Sequence, residues 1–122
     1  MRVLVCGGRE YADWTKLEQT LGDLYWSLDL EEQNIFVLIS GGAAGADTLA
    51  RRFARQNNLV PYNFEEYKAD WDKYGKAAGF IRNQQMLDEG KPDLVIAFEG
   101  GRGTADMIQR AKKAKIKVIE IT

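Results

Sequence analysis

Apolar residues fall into two kinds of stretch along this chain. Continuous short runs occupy positions 3–6, 35–39, 94–98 and 118–121, mostly β-branched and bounded by glycine or charge. Unbroken apolar character, in place of alternation, marks strands covered on both faces. Between the first two runs, residues 13–34 set Trp14, Leu17, Leu21, Leu24 and Leu28 at helical spacing, with Gly22 off that stripe, and predict a helix. Residues 46–57 predict a second helix with Leu49, Ala50 and Phe53 on one face, ended by Asn57-Asn58. A third helix is expected over 76–89, stopped by Gly90 and Pro92, and a last one over 104–114. Residues 60–64 predict an edge strand, because Pro61 cannot donate to a central ladder. Residues 65–74 are the least regular stretch.

The order β-α-β-α-β-α-β-α-β with short connections predicts an α/β fold, a Rossmann-like doubly wound parallel sheet of about five strands with helices on both faces. The expected strand order is 3-2-1-4-5, which puts the topological switch between strands one and four. Ligands of such sheets sit outside the carboxyl ends of the strands at that switch. No repeat, low-complexity tract or linker interrupts residues 1–122, so one domain is expected.

Three glycine-rich turns fall after strands one, two and four. They read Cys6-Gly7-Gly8-Arg9, Ser40-Gly41-Gly42-Ala43-Ala44-Gly45-Ala46-Asp47-Thr48 and Glu99-Gly100-Gly101-Arg102-Gly103-Thr104. A strand that ends in glycine and feeds a helix leaves bare N–H groups at the positive end of the helix dipole, a setting that suits phosphate. The second turn is neither the dinucleotide fingerprint, whose spacing differs, nor a Walker A loop, which needs Gly-Lys-Ser/Thr. Its small residues admit a ligand or simply allow a tight strand–helix turn. Asp47 or Thr48 could cap the helix or meet a ribose hydroxyl. In the third turn, three glycines in four positions imply a required backbone conformation, and Thr104 is placed to be an N-cap.

Charge is balanced at 17 basic and 18 acidic residues, a net −1, so attraction for an anion has to be local. Arg82, followed by Asn83 on the third helix, could point to the last glycine turn and grip phosphate bidentately; Arg9 is a second candidate. Glu10 and Asp13 read as helix-entry charges, and Lys112, Lys113, Lys115 and Lys117 as a solvated helix end. Tyr67, Trp71 and Tyr74 could stack on a base, but their spacing fits core packing or a dimer contact better. With no histidine and one cysteine, histidine triads are excluded and neither a metal site nor a cofactor is expected. Cys6 reads as a buried strand residue and fits a reducing cytoplasm. No apolar stretch reaches the roughly 20 residues of a spanning helix, and the chain enters a strand at once, leaving no room for a signal peptide.

Taken together, the sequence resembles the SLOG superfamily, the Rossmann-like group of the LOG cytokinin-activating phosphoribohydrolases and the Smf/DprA proteins. The resemblance is to its YspA or cpYpsA-related branch, common in bacteria and phages. It runs nearly the full length, through Gly7-Gly8-Arg9-Glu10-Tyr11, Ser40 to Asp47, Ala69-Asp70-Trp71, Ala78-Gly79-Phe80-Ile81-Arg82-Asn83 and Gly100 to Met107. The LOG motif, proline-glycine-glycine-any-glycine-threonine-any-any-glutamate, is matched at Gly100, Gly101, Gly103 and Thr104; its proline is Glu99 here and its catalytic glutamate is Met107. Arg82 falls where the LOG arginine lies, and Asn83 replaces the lysine after it. Asp106 is one residue from the glutamate position, but one helical step turns a side chain by roughly 100°.

The resemblance implies a nucleotide-like small molecule as partner, with Gly7, Gly8, Arg9, Ser40, Gly41, Gly42, Gly45, Ala46, Asp47, Arg82, Asn83, Gly100, Gly101, Gly103 and Thr104 as the phosphate- and ligand-binding set. Binding or sensing is the first expectation. Nucleotide N-glycosidase activity, with Arg82 and Asp106 (or Glu99) as catalytic residues, is the alternative. Single-stranded DNA binding lacks a basic face to support it. No membrane partner is expected, and a homodimer is allowed.

Overall fold

The computed structural model describes Met1–Thr122. Strands β1 (Arg2–Cys6), β2 (Val37–Ser40), β3 (Phe64–Glu66), β4 (Leu94–Ala97) and β5 (Lys117–Glu120) form one parallel sheet in the order β3-β2-β1-β4-β5. That is the order the connection rules predict. Helices α1 (Trp14–Ser27), α2 (Leu30–Asn34), α3 (Ala46–Gln56), α4 (Trp71–Tyr74), α5 (Ala78–Gly90) and α6 (Arg102–Lys113) fill the connections. No helix is long and apolar enough to cross a membrane.

Strand alternation divides the core in two. Val3 and Val5 of β1 and Leu94 and Ile96 of β4 face Leu17 and Leu21 of α1 and Phe53 of α3. Leu4, Cys6, Val95 and Ala97 turn the other way, onto Met86 and Leu87 of α5 and Met107 and Ala111 of α6. Val3–Cys6 of β1 and all of β4 are therefore apolar without alternation, as a sheet covered on both sides requires. Truncating Phe53, which is 2% exposed, to alanine would cost about 3–5 kcal/mol.

The helix expected over 13–34 is two helices. Asp13 caps α1 by accepting from the Lys16 amide at 3.0 Å. Leu28 is extended, and Asp29 caps α2 through the Glu32 amide at 2.8 Å. A side chain able to cap competes with helix continuation, and that competition outweighs the apolar stripe here.

The third strand also lies later than its apolar run. Residues 60–62 turn, and pairing runs Leu38 with Phe64, Ile39 with Glu65 and Ser40 with Glu66. Two carboxylates occupy this edge strand because arginines hold them: Arg2 to Glu65 at 2.6 Å and Arg51 to Glu66 at 2.6 Å. A hydropathy pattern cannot register such a strand. Helix α6 starts at Arg102 with Gly101 as N-cap, so Thr104 is not the cap but a buried residue of the first turn. Gly90 is the last residue of α5, and Lys91 carries the left-handed cap at φ 46°.

Candidate ligand-binding site

The turns after β1, β2 and β4 meet at the carboxyl edge of the sheet, and Gly8 ties them together. Its amide donates to the Glu99 carbonyl at 2.8 Å, while its carbonyl accepts from the Ala46 amide at 3.1 Å. The glycines permit that approach. A Cβ at Gly7 would stand 2.6 Å from the Ala46 Cβ, and one at Gly100 would stand 2.6 Å from the Gly8 amide nitrogen. Gly45 has φ +76°, and a Cβ there would run into the Gly8 carbonyl oxygen and stand 2.5 Å from the Arg9 carbonyl carbon.

Two of the expected free amides, Gly8 and Ala46, are thus spent on joining turns, and that of Ala43 donates to Asp47 Oδ2 at 3.1 Å. The third turn keeps four consecutive donors free. The amides of Gly100, Gly101, Arg102 and Gly103 make no hydrogen bond within the protein, and α6 has no side-chain cap. None of these glycines has positive φ, and nothing lies within 4 Å of a Cβ built on Gly101 or Gly103. Positive φ therefore does not account for them; close approach to Gly8 accounts for Gly100, and neither constraint applies to Gly103.

Arg82, in the second turn of α5, connects the other two turns through its neighbour. Its Nη1 donates to the Gly41 carbonyl and, at 3.4 Å, to the Tyr67 carbonyl; its Nε donates to Asn83 Oδ1 at 3.2 Å. Buried Asn83 in turn donates through Nδ2 to the Gly103 carbonyl and to Asp106 Oδ2, both at 3.1 Å. No carboxylate forms an ion pair with Arg82 or Arg9. Burial pulls the Arg82 pKa down; Asp47 opposes that fall and Arg9 adds to it.

These groups open onto a cavity of about 910 Å³ and a smaller hollow of about 320 Å³. Arg9, Ala43, Trp71 and Arg82 line both. Gly7, Gly8, Asp47, Asn83, Gly100, Gly101, Gly103 and Thr104 line the larger space, and Gly41 and Gly42 the smaller. Ser40, Gly45, Ala46 and Asp106 line neither. Asp106 Oδ2 is engaged by Arg110 Nε at 2.7 Å as well as by Asn83. Met107 is fully buried in the core.

Asp47 sits against the cavity floor at 7% exposure. Burial raises its pKa; the Ala43 amide and Arg82 oppose that rise, as does the Ser40 hydroxyl, which lies near but outside hydrogen-bond geometry. Cys6 also reaches the floor, its thiol pushed up to about 12 by burial and then by Asp47. Sequence reasoning set Trp71 aside as core or interface, yet the residue is 47% exposed on the cavity wall with Phe80. Two further lining residues were not among the expected site residues: Tyr11, present in the first-turn motif without a role, and Lys16, which has no local signature. No group of three or more histidine, cysteine or acidic side chains is placed to hold a metal ion.

Comparison with known proteins agrees with this architecture. The profile of the YspA, cpYpsA-related SLOG family matches residues 1–74. The Gene 61 protein of Mycobacterium phage D29 is 39% identical over 125 residues, spanning 97% of this chain and 94% of the phage protein.

Proposed function

The chain belongs to the YspA, cpYpsA-related SLOG family, and we propose that it binds a phosphate-bearing, nucleotide-like small molecule at the junction of its two hollows. One observation carries this reading: the Arg82 guanidinium is partly withdrawn from water, facing a cavity, with carbonyls and an amide oxygen for partners and no carboxylate. A desolvated cation left unpaired costs free energy, and an entering anion removes that cost. The open amides of Gly100 to Gly103 border the same cavity at the start of α6, where a phosphate oxygen meets both donors and dipole.

The roles divide as follows. Arg82 makes the charge-assisted contact, and Asn83 fixes the third turn by holding the Gly103 carbonyl. Arg9 adds a second positive charge from the first turn. Asp47 supplies an acceptor for a ligand hydroxyl. Gly101 and Gly103 keep the wall free of side chains, so the backbone itself meets the ligand.

Hydrolysis of a base–ribose bond is the rival reading; of its two candidate carboxylates, Glu99 lines the cavity and Asp106 does not. Asp106 is held by Arg110 and Asn83, and the position that corresponds to the LOG glutamate is the buried Met107, which favours binding without cleavage. Thermal-shift titration with 5′-nucleoside monophosphates tests the binding reading. Saturation about 100-fold above Kd adds about 2.7 kcal/mol, or roughly 10 °C for a domain of this size. No shift with any nucleotide, or an unchanged shift in Arg82→Ala, defeats the reading. Chromatography of the same mixtures shows free base only under the rival.

A further inference from the structure

Ten large hydrophobic side chains are exposed, and two of them, Trp71 and Phe80, line the cavity. Trp26 and Tyr62, the most exposed aromatics at 70% and 91%, are not part of it. Trp71 is therefore singled out by position, not by exposure. Its indole rests against α5 at Gly79: a Cβ on residue 79 would lie 3.5 Å from Trp71 Cη2 and 3.9 Å from Arg82 Nη2. The indole edge and the Arg82 guanidinium thus flank one glycine. On the first turn, the Arg9 guanidinium carbon stands 5.2 Å from the Trp71 ring centroid. Arg9 has no ion pair and no side-chain hydrogen bond to hold it there.

We infer that the Trp71 indole is the stacking platform for a planar aromatic ring carried by the same anionic ligand, set beside the Arg82 and Arg9 charges that take its phosphate. This inference rests on the binding reading above and specifies which end of the ligand the protein discriminates. The exchange is favourable, because stacking a base on an aromatic side chain contributes more than an exposed cation–π contact. An incoming ring can displace Arg9 from the indole, and the released guanidinium is already at the junction where the phosphate sits. Gly79 keeps the space between the indole edge and Arg82 open, so ring and phosphate sites stay adjacent.

The experiment compares four 5′-nucleoside monophosphates (adenine, guanine, cytosine, uracil) with ribose 5-phosphate, in the wild-type chain and in Trp71→Leu and Trp71→Phe. Affinity is read by calorimetry and by quenching of tryptophan fluorescence. Expected in the wild type are tighter binding of nucleotides than of ribose 5-phosphate, and quenching on nucleotide addition. Trp71→Leu should weaken nucleotide binding roughly 5- to 100-fold and leave ribose 5-phosphate within about twofold. Trp71→Phe should recover most of the loss, and its ligand-induced quenching should vanish because Trp14 and Trp26 lie off the site. Partial exposure of residue 71 makes both variants compatible with folding, which circular dichroism checks. Equal affinity for ribose 5-phosphate and nucleotides, or equal losses for both in Trp71→Leu, overturns the platform while leaving the phosphate site standing. Failure of every probe to bind the wild type overturns the binding reading and this inference with it. A Trp71 signal that follows protein concentration instead of ligand assigns the indole to a contact between copies and also overturns the inference.

Discussion

The guanidinium of Arg82 lies against the Cα of Gly41, its Nη1 donating to the Gly41 carbonyl, and a Cβ on residue 41 would stand 2.6 Å from Nη1 and 2.8 Å from Cζ. The clash would be with the far end of a flexible side chain, and Gly41 does not have positive φ. Gly41→Ala should therefore fold, with stability changed by no more than about 1 kcal/mol, while Arg82 is pushed off the turn. The expected result is a near-native melting temperature without ligand and at least a tenfold loss of nucleoside monophosphate affinity. Unaltered affinity would mean that Arg82 needs no seat on Gly41.

Two other glycines separate a structural requirement from a ligand requirement. Gly45 has φ +76° and presses on the backbone of residues 8 and 9, so Gly45→Ala should cost about 3 kcal/mol or more. Gly103 sits in the first turn of α6 with nothing within 4 Å of a built Cβ. Alanine is a better helix former by up to about 1 kcal/mol, so Gly103→Ala should be as stable as the wild type or slightly more so. Its methyl group would enter the cavity, and nucleotide affinity should fall. Urea unfolding and ligand titration on the same two variants check the contrast.

The sheet order, the switch point and the three glycine turns were legible in the sequence because each depends on local signals: apolar runs, helical spacing and glycine. Strand β3 was not, since Glu65 and Glu66 occupy it by pairing with arginines that are distant in sequence. The break at Asp29 was visible only as one capping residue set against a long apolar stripe. Within the site, the glycine positions were legible but their division of labour was not. That Gly8 and Ala46 bond turn to turn, leaving the amides of 100–103 free, is a property of three loops together. Trp71 has the spacing of a core residue, and only the placement of α4 beside α5 turns it to the cavity.

Burial raises the Asp47 carboxyl above its ordinary value near 3.8. The folded chain therefore holds this proton more tightly than the unfolded chain does. Stability associated with the protonated form is complete below the unfolded pKa and is lost as pH rises through the folded one. At neutral pH the charged carboxylate weighs against the fold. Asp47→Asn should unfold at higher urea than the wild type at pH 7, with the gap closing toward pH 4. A gap that widens on acidification would reverse the sign argued here.

Cys6 reaches the cavity floor, yet its thiol is pushed up to about 12. At pH 8 the thiolate is about one part in 10⁴, and the thiolate is the reactive form. Iodoacetamide should label the native chain more than a hundredfold more slowly than the urea-unfolded chain. Rapid native labelling would show the strand end opening to solvent, and bound nucleotide would then be expected to slow it.

Met107 tests the hydrolytic rival most directly, because it stands where the LOG enzymes carry their glutamate. Its side chain has no exposed surface and packs in the layer with Leu4, Ile39, Met86 and Ala97. A carboxylate placed there would lose its water among apolar neighbours, and no cation belongs to that cluster. Met107→Glu should therefore destabilise the fold by more than about 3 kcal/mol at pH 7. The sign with pH follows from desolvation: the carboxyl's folded pKa would be raised, so stability should partly return as pH falls and disappear again as it rises. Nucleoside monophosphates incubated with this variant should remain intact. A well-folded Met107→Glu chain that released free base would mean that α6 can present residue 107 to the cavity, and the case for binding without cleavage would fail.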